Sequence, residues 1–198
     1  MSLVTKQAPD FVAPAVTEGD FIDEQFKLSS LRGRYVILFF YPLNFTFVCP
    51  SEILAFDRAR DEFLARDTEI VAVSVDSAYS HLAWKRTPTD KGGIGPVRIT
   101  LVSDIHKSIA TSYGVLHESG VALRGLFLLD REGVVRHELV NDLSLGRSVD
   151  EASRMLDALR FYEKKGEVCP ANWQEGQEGM KPTQEGVVDY LSHLMNPS

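Results

Sequence analysis

Tyr35-Val-Ile-Leu-Phe-Phe-Tyr-Pro-Leu-Asn-Phe-Thr-Phe-Val-Cys49-Pro50-Ser-Glu52 is the stretch around which the chain is organised. Its apolar, β-branched and aromatic run reads as a fully buried strand, stops at Pro42, and leads through a short loop that delivers Cys49 to the start of a helix. Pro50 suits the first helical position, and Glu52 falls in the first turn, where a negative charge suits the helix dipole. Ile53, Leu54, Phe56, Ala59, Phe63 and Leu64 then recur at helical spacing until Asp67. Unpaired N–H groups and the positive dipole end at a helix N-terminus favour a thiolate, the nucleophilic form of cysteine. A free cysteine is more commonly a small buried hydrophobe. Strand, proline, hydroxyl and helix start on one stretch point instead to a reactive thiol.

The bulk properties narrow the function classes. At 198 residues, 44% of them hydrophobic, the chain suits one globular core with an extension. A net charge of -7 without a basic block argues against nucleic acid or an anionic membrane as partner. No apolar run approaches a membrane span, and the first 16 residues lack the regions of a signal peptide, so the expected compartment is the cytoplasm. Two cysteines in such a protein are not a structural framework, because cytosolic disulfides are mostly transient and catalytic. Their wide separation also excludes a Cys-x-x-Cys carrier.

Outward from the opening stretch, Pro9, Pro14, Gly19 and alternating apolar positions over 8–28 suggest a hairpin packed on the body. Glu69 to Val75 reads as a second buried strand, parallel to the first across the Cys49 helix, which puts Cys49 at the carboxyl end where α/β ligand sites lie. A helix over 77–86, a Gly- and Pro-broken loop, a strand over 98–102 and a helix capped by Asp104 and ended by Gly114 follow. Two strands then flank the Asp130–Gly133 turn, and Ser148 with Glu151 opens a long amphipathic helix that closes at Gly166. The expectation is an α/β chain with a central mixed sheet flanked by helices over 1–166, and an irregular arm over 167–198. Within that arm, 183–195 forms a short helix with Val187, Val188, Leu191 and Leu194 as its apolar stripe.

Pro42-x-x-x-Thr46-x-x-Cys49 resembles the active-site signature of the peroxiredoxins. Ser74-Val-Asp-Ser77, Gly92-Gly-Ile-Gly95, Arg124-Gly-Leu-Phe127, Gly146-Arg-Ser-Val-Asp150 and Glu167-Val-Cys-Pro170 resemble their counterparts in the same order along the chain. The similarity is greatest to the typical two-cysteine members, also called the alkyl hydroperoxide reductase C and thioredoxin peroxidase group. The resemblance implies a thioredoxin-like fold, reduction of hydrogen peroxide and organic hydroperoxides, a peroxidatic Cys49 and a resolving Cys169. It further implies a thioredoxin-like dithiol reductant, no cofactor, and antiparallel homodimers that assemble by fives into a decamer. Sequence spacing leaves open whether the disulfide closes within one chain or between two.

Attack of a thiolate on peroxide moves charge along the S–O–O axis, so donors must track that charge. Thr46 offers a hydroxyl, the helix N-terminus backbone N–H, and Arg124 a fixed fork of donors, while Pro42 has no N–H and shields the sulfur. A thiol whose pKa falls from about 8.5 to about 6 gains roughly 30-fold in thiolate at neutral pH and loses roughly 10-fold in nucleophilicity. The net gain of about threefold is too small to make a peroxidase, so the donors around the sulfur must do most of the work. By resemblance, Glu52 and Arg147 orient Arg124; from the residues alone, a helix-dipole role and an exposed turn explain them equally well. An unpaired Arg124 in so apolar a strand would be costly.

Gly92, Gly93, Ile94 and Gly95 resemble the loop that, with a Tyr-Phe pair in the terminal helix, slows the unwinding needed for resolution and exposes the family to over-oxidation. Here the pair reads Tyr190-Leu191, so intermediate sensitivity is expected. Five histidines show no paired ligand spacing and neither cysteine begins a zinc motif, so no metal site is expected. Ala55 stands where a phosphatase loop needs arginine, and no positioned base near Cys49 suggests a hydrolase. The rival reading is an oligomeric holdase or a peroxide-sensing switch that uses the same thiols.

Overall fold

The computed structural model describes residues 2–195, and the chain divides into two compact units that meet between Val149 and Asp150. In the first unit a seven-stranded mixed sheet has the order β2-β1-β5-β4-β3-β6-β7. Its centre is β3 (Tyr35–Phe40), a run in which every residue is buried. Such a strand needs cover on both faces and a neighbour on both edges, which its uninterrupted apolar sequence anticipates.

Strand β4 (Thr68–Ser74) runs parallel to β3, pairing Tyr35 with Thr68 through Phe40 with Val73, and α1 (Cys49–Ala65) connects the two. Ile53, Phe56 and Phe63 form the buried face of α1, and Phe56 stacks on Phe39 of β3 with centroids 4.6 Å apart. Helix α2 (Ala78–Arg86), capped by Ser77 whose hydroxyl accepts from Ser80 N, leads to β5 (Thr100–Ser103), parallel to β4. Strand β5 begins two residues later than the sequence suggests. Asp57 Oδ1 on α1 accepts from the N–H groups of Arg98 (2.5 Å) and Ile99 (3.2 Å) and takes both out of the ladder.

Residues 8–28 form the expected hairpin, β1 (Val12–Val16) against β2 (Ile22–Lys27). It does more than pack on the body, because β1 also pairs antiparallel with β5 and extends the sheet. Helix α3 (Ser108–Ser112) likewise departs in detail. Lys107, at φ +61, occupies its N-cap, and Asp104 caps from beyond a turn by accepting from Ile109 N (3.0 Å) and Ala110 N (2.7 Å). On the other flank of β3, β6 (Arg124–Leu129) is antiparallel and fully buried, and Gly133 at φ +78 lets the chain turn into β7 (Val135–Asn141). Parallel central strands with an antiparallel pair on the β6 side make this a thioredoxin-like sheet, with Cys49 at the carboxyl end of its central strand.

Helix α4 (Val149–Lys165) carries the chain into the second unit and ends at Gly166, which adopts φ +69. The segment after it is irregular, held by an antiparallel bridge of Val168 with Met180 and by Trp173, whose ring lies 4.8 Å from Phe161. Helix α5 (Gln184–Met195) follows, and Val187, Val188 and Leu191 of its apolar stripe are exposed; the side chain of Leu194 lies outside those described. Among the described residues no helix is long and apolar enough to cross a membrane.

Candidate active site

Beyond β3 the backbone keeps one more sheet contact, Tyr41 N donating to Val73 O at 3.0 Å, before Pro42 ends the strand. The loop then reverses at Phe45, whose φ of +54 is costly for a bulky residue, by about 1–2 kcal/mol. Such a conformation persists only where the surroundings over-determine it. Phe45 lies against Trp84 of α2, with centroids 5.9 Å apart. Thr46, exposed Phe47 and Val48 follow, and Val48 O accepts from Ser51 N and Glu52 N to start α1.

Cys49, the first residue of α1, is fully buried. Thr46 Oγ1 lies 3.0 Å from its Sγ and 2.8 Å from Leu43 O. One hydroxyl proton cannot serve both acceptors at once, so turning it to the sulfur releases the carbonyl. From the other side Arg124 Nη1 donates to Sγ at 3.4 Å and to Glu52 Oε2 at 2.6 Å, while its Nε donates to Leu143 O at 2.7 Å. The guanidinium is thus aimed by two fixed partners before it reaches the sulfur.

Glu52 is saturated. Its Oε1 accepts from Arg147 N (2.9 Å) and Nε (2.8 Å), and its Oε2 from Arg124 Nη1 and Arg147 Nη2 (2.9 Å). Arg147 Nη1 donates to Phe40 O (2.7 Å) and Gly125 O (2.6 Å), tying the end of β3 to the start of β6, and its guanidinium caps the Phe39 ring at 4.8 Å. Burial pulls the Arg147 pKa below its ordinary value against the opposing pull of Glu52. The exposed-turn alternative for Arg147 therefore fails: its side chain has no exposure at all. Two guanidinium groups and one carboxylate sum to +1, and the Cys49 Sγ is the further acceptor that Arg124 Nη1 reaches beside them. Gly125 is required by close approach, since a Cβ there would meet Val115 Cγ1 at 2.8 Å.

Pro42, Thr46, Cys49, Glu52, Arg124 and Arg147 thus meet in the first unit, and Pro42 is buried there. The loop of Gly92, Gly93, Ile94 and Gly95 is held on α2, with Trp84 Nε1 donating to Gly92 O and Ile94 N to Trp84 O, both at 3.2 Å. Gly93 cannot be replaced, because a Cβ would stand 1.9 Å from Thr87 O. Cys169 lies in the second unit as a free thiol whose Sγ donates to Ala158 O at 3.4 Å; burial raises its pKa and Arg154 opposes that rise. In the same unit Tyr190 is half-buried on α5 and Leu191 exposed.

Sequence reasoning missed a polar cluster behind the loop. Tyr41, Asn44, Asp76, Ser80 and His81 are joined by hydrogen bonds, with Tyr41 and His81 wholly buried. Tyr41 and Asn44 stand inside the opening stretch, but no local pattern announces a partner on α2.

A buried cysteine at a helix start on a thioredoxin-like sheet, faced by a hydroxyl and a locked guanidinium, defines a cysteine-based oxidoreductase. Residues 4–138 match the AhpC/TSA family, and residues 158–193, which include Cys169, match the C-terminal domain of 1-Cys peroxiredoxin. Alkyl hydroperoxide reductase C of Helicobacter pylori strain J99 is 54% identical over 190 residues, 96% of each chain. Peroxiredoxin-2 of Mus musculus is 50% identical over 190 residues, 96% of this chain and 95% of that one. The crystal structure of the reduced 2-Cys peroxiredoxin of Plasmodium vivax matches with a TM-score of 0.94 at 53% identity, covering 97% of this chain and 100% of its own. The chain belongs to the AhpC/TSA family and is a peroxiredoxin.

Proposed function

We propose that the chain reduces hydrogen peroxide and organic hydroperoxides through Cys49. The observation that carries this reading is the placement of Thr46 Oγ1 at 3.0 Å and Arg124 Nη1 at 3.4 Å from one buried sulfur, with Glu52 and Arg147 behind them. The Cys49 thiolate forms an S–O bond as the O–O bond breaks, giving a sulfenic acid and a hydroxide or alkoxide whose charge Thr46 and Arg124 stabilise. Cys169 then attacks the sulfenic sulfur, releasing water and leaving a disulfide, which a thioredoxin-like dithiol reduces. Peroxide consumption by the purified protein with such a reductant, lost in Cys49→Ser, tests the assignment. Activity that survives this substitution overturns it. The relatives' names favour this enzyme over a holdase.

Resolution by Cys169 of a second copy, in an antiparallel homodimer, is supported by the sheet ending at β7 among the described strands, where a further strand can add. Assembly of those dimers by fives is carried over from the family resemblance, and Phe47, 98% exposed in the single chain, is a residue at which it can be tested. Non-reducing gels after peroxide read the linkage directly: a band at twice the monomer mass, absent in Cys169→Ser, is expected. That variant should still oxidise Cys49 once. The cytoplasm is the proposed compartment, in keeping with free thiols. Gly92–Gly95 with Tyr190 but Leu191 in place of an aromatic leads to intermediate over-oxidation. Mass spectrometry of Cys49 during a peroxide titration should find its sulfinic form at excess turnover, and finding none removes this reading.

A further inference from the structure

The loop that carries Thr46 and Cys49 is strained at Phe45, so something outside the catalytic set must hold it. Asn44 immediately precedes the strained residue, and every polar group it directs inward is engaged. Its backbone N–H donates to Asp76 Oδ2 at 2.9 Å, an oxygen that also accepts from Ser74 Oγ at 2.7 Å. Its side-chain Oδ1 accepts from the Tyr41 hydroxyl at 2.8 Å, and its Nδ2 donates to Ser80 Oγ at 2.9 Å. The same Nδ2 lies 3.1 Å from His81 Nδ1.

One proton arrangement satisfies this cluster, in which the Tyr41 hydroxyl, also 3.2 Å from His81 Nδ1, donates to Asn44 Oδ1. His81 Nε2 lies 3.1 Å from Val102 O, and a carbonyl only accepts, so Nε2 carries the proton. In the neutral ring Nδ1 is then an acceptor, and Asn44 Nδ2 supplies the donor it needs. The Asn44 carboxamide offers an acceptor to Tyr41 and donors to His81 and Ser80 from one planar group. Tyr41 just past β3, Asp76 just past β4, and Ser80 and His81 of α2 therefore contact residue 44 directly, two positions before Thr46 and five before Cys49, and β5 supports it through His81.

We propose that Asn44 is a positioning residue for the peroxide reaction: through Tyr41, Asp76, Ser80 and His81 it sets the loop from which Thr46 reaches the Cys49 sulfur. The inference rests on the peroxidase reading. If the unsubstituted protein consumes no peroxide that reading fails, whereas an active protein indifferent to Asn44 fails only this one.

The test measures two reactions of Cys49 in the reduced full-length protein, one with hydrogen peroxide and one with iodoacetamide, which needs no donor placed for a leaving oxygen. Misplacement of a reacting group by about 1 Å costs up to roughly 10²-fold, so a partly relaxed loop in Asn44→Ala should slow the peroxide reaction by roughly tenfold. Alkylation should change by less than about threefold. Asn44→Asp keeps the shape and the acceptor for Tyr41, and His81 can donate to it once protonated. It should recover most of the peroxide rate, with His81 becoming an imidazolium at neutral pH by NMR. A peroxide rate unchanged in Asn44→Ala, a parallel change in both reactions, or Asn44→Asp as slow as Asn44→Ala overturns the proposal. If Asn44→Ala does not fold, Ser80→Ala removes the acceptor of Asn44 Nδ2 together with the weaker donation of Ser80 Oγ to Asp76 Oδ1; a peroxide rate lowered by about threefold supports positioning and an unchanged rate refutes it.

Discussion

Thr46 holds a single proton between two acceptors, Leu43 O and Cys49 Sγ, and that shared proton is the smallest device in the site. Thr46→Val keeps the shape and removes the proton. If the hydroxyl acts on the leaving oxygen, stopped-flow measurement should find the peroxide reaction slowed by roughly 10²–10³-fold, the cost of losing one transition-state donor. Thr46→Ser should retain most of the rate. Arg124 is equally a matter of geometry. Its Nε and Nη1 serve Leu143 O, Glu52 and Cys49 from one rigid plane. Lysine, a flexible point charge, cannot reproduce three fixed directions, so Arg124→Lys should behave as a loss and not as a conservative change.

Among the elements, α1 and β6 are joined through Glu52, which accepts from both buried guanidinium groups. Glu52→Gln leaves two buried positive charges without their counterion, and urea denaturation should show a loss of about 3 kcal/mol or more. Helix α2 contributes a pH dependence through His81, whose pKa burial lowers to about 4. The unfolded chain binds this proton near pH 6.5 and the folded chain only near pH 4. The stability it contributes is therefore complete above about pH 6.5, falls as the pH drops, and is lost by about pH 4, a span worth roughly 3 kcal/mol. Denaturation curves at pH 7 and pH 4.5 check this, and His81→Asn should flatten that part of the dependence.

For the whole molecule, Phe47 contributes nothing to the core of its own chain, being 98% exposed beside a fully buried Cys49. If the proposed dimers associate through this surface, Phe47→Arg should shift sedimentation toward the smaller species, with the stability of that species in thermal unfolding changed by no more than about 0.5 kcal/mol. An assembly indifferent to this substitution would place the contact elsewhere.

The central strand, the Cys49 helix, the parallel unit that joins them and both hairpins were legible in the local sequence. Each is written in a local period, a proline stop or a turn residue. The start of β5 escaped it, because Asp57 acts from across the fold; Asp104 was legible as the cap of α3, though it acts from beyond a turn whose N-cap position is Lys107. The same limit governs the site. Thr46 was legible three residues from Cys49, but Arg147 sits 95 positions from the carboxylate it binds, and its Gly-Arg-Ser context reads equally well as an exposed turn. Asn44 and His81 stand 37 positions apart and carry no pattern that pairs them. The burial of Arg147 and His81, and the groups that satisfy them, emerge only on packing, because the partners of a buried polar group are chosen by which elements pack together and not by its neighbours in the chain.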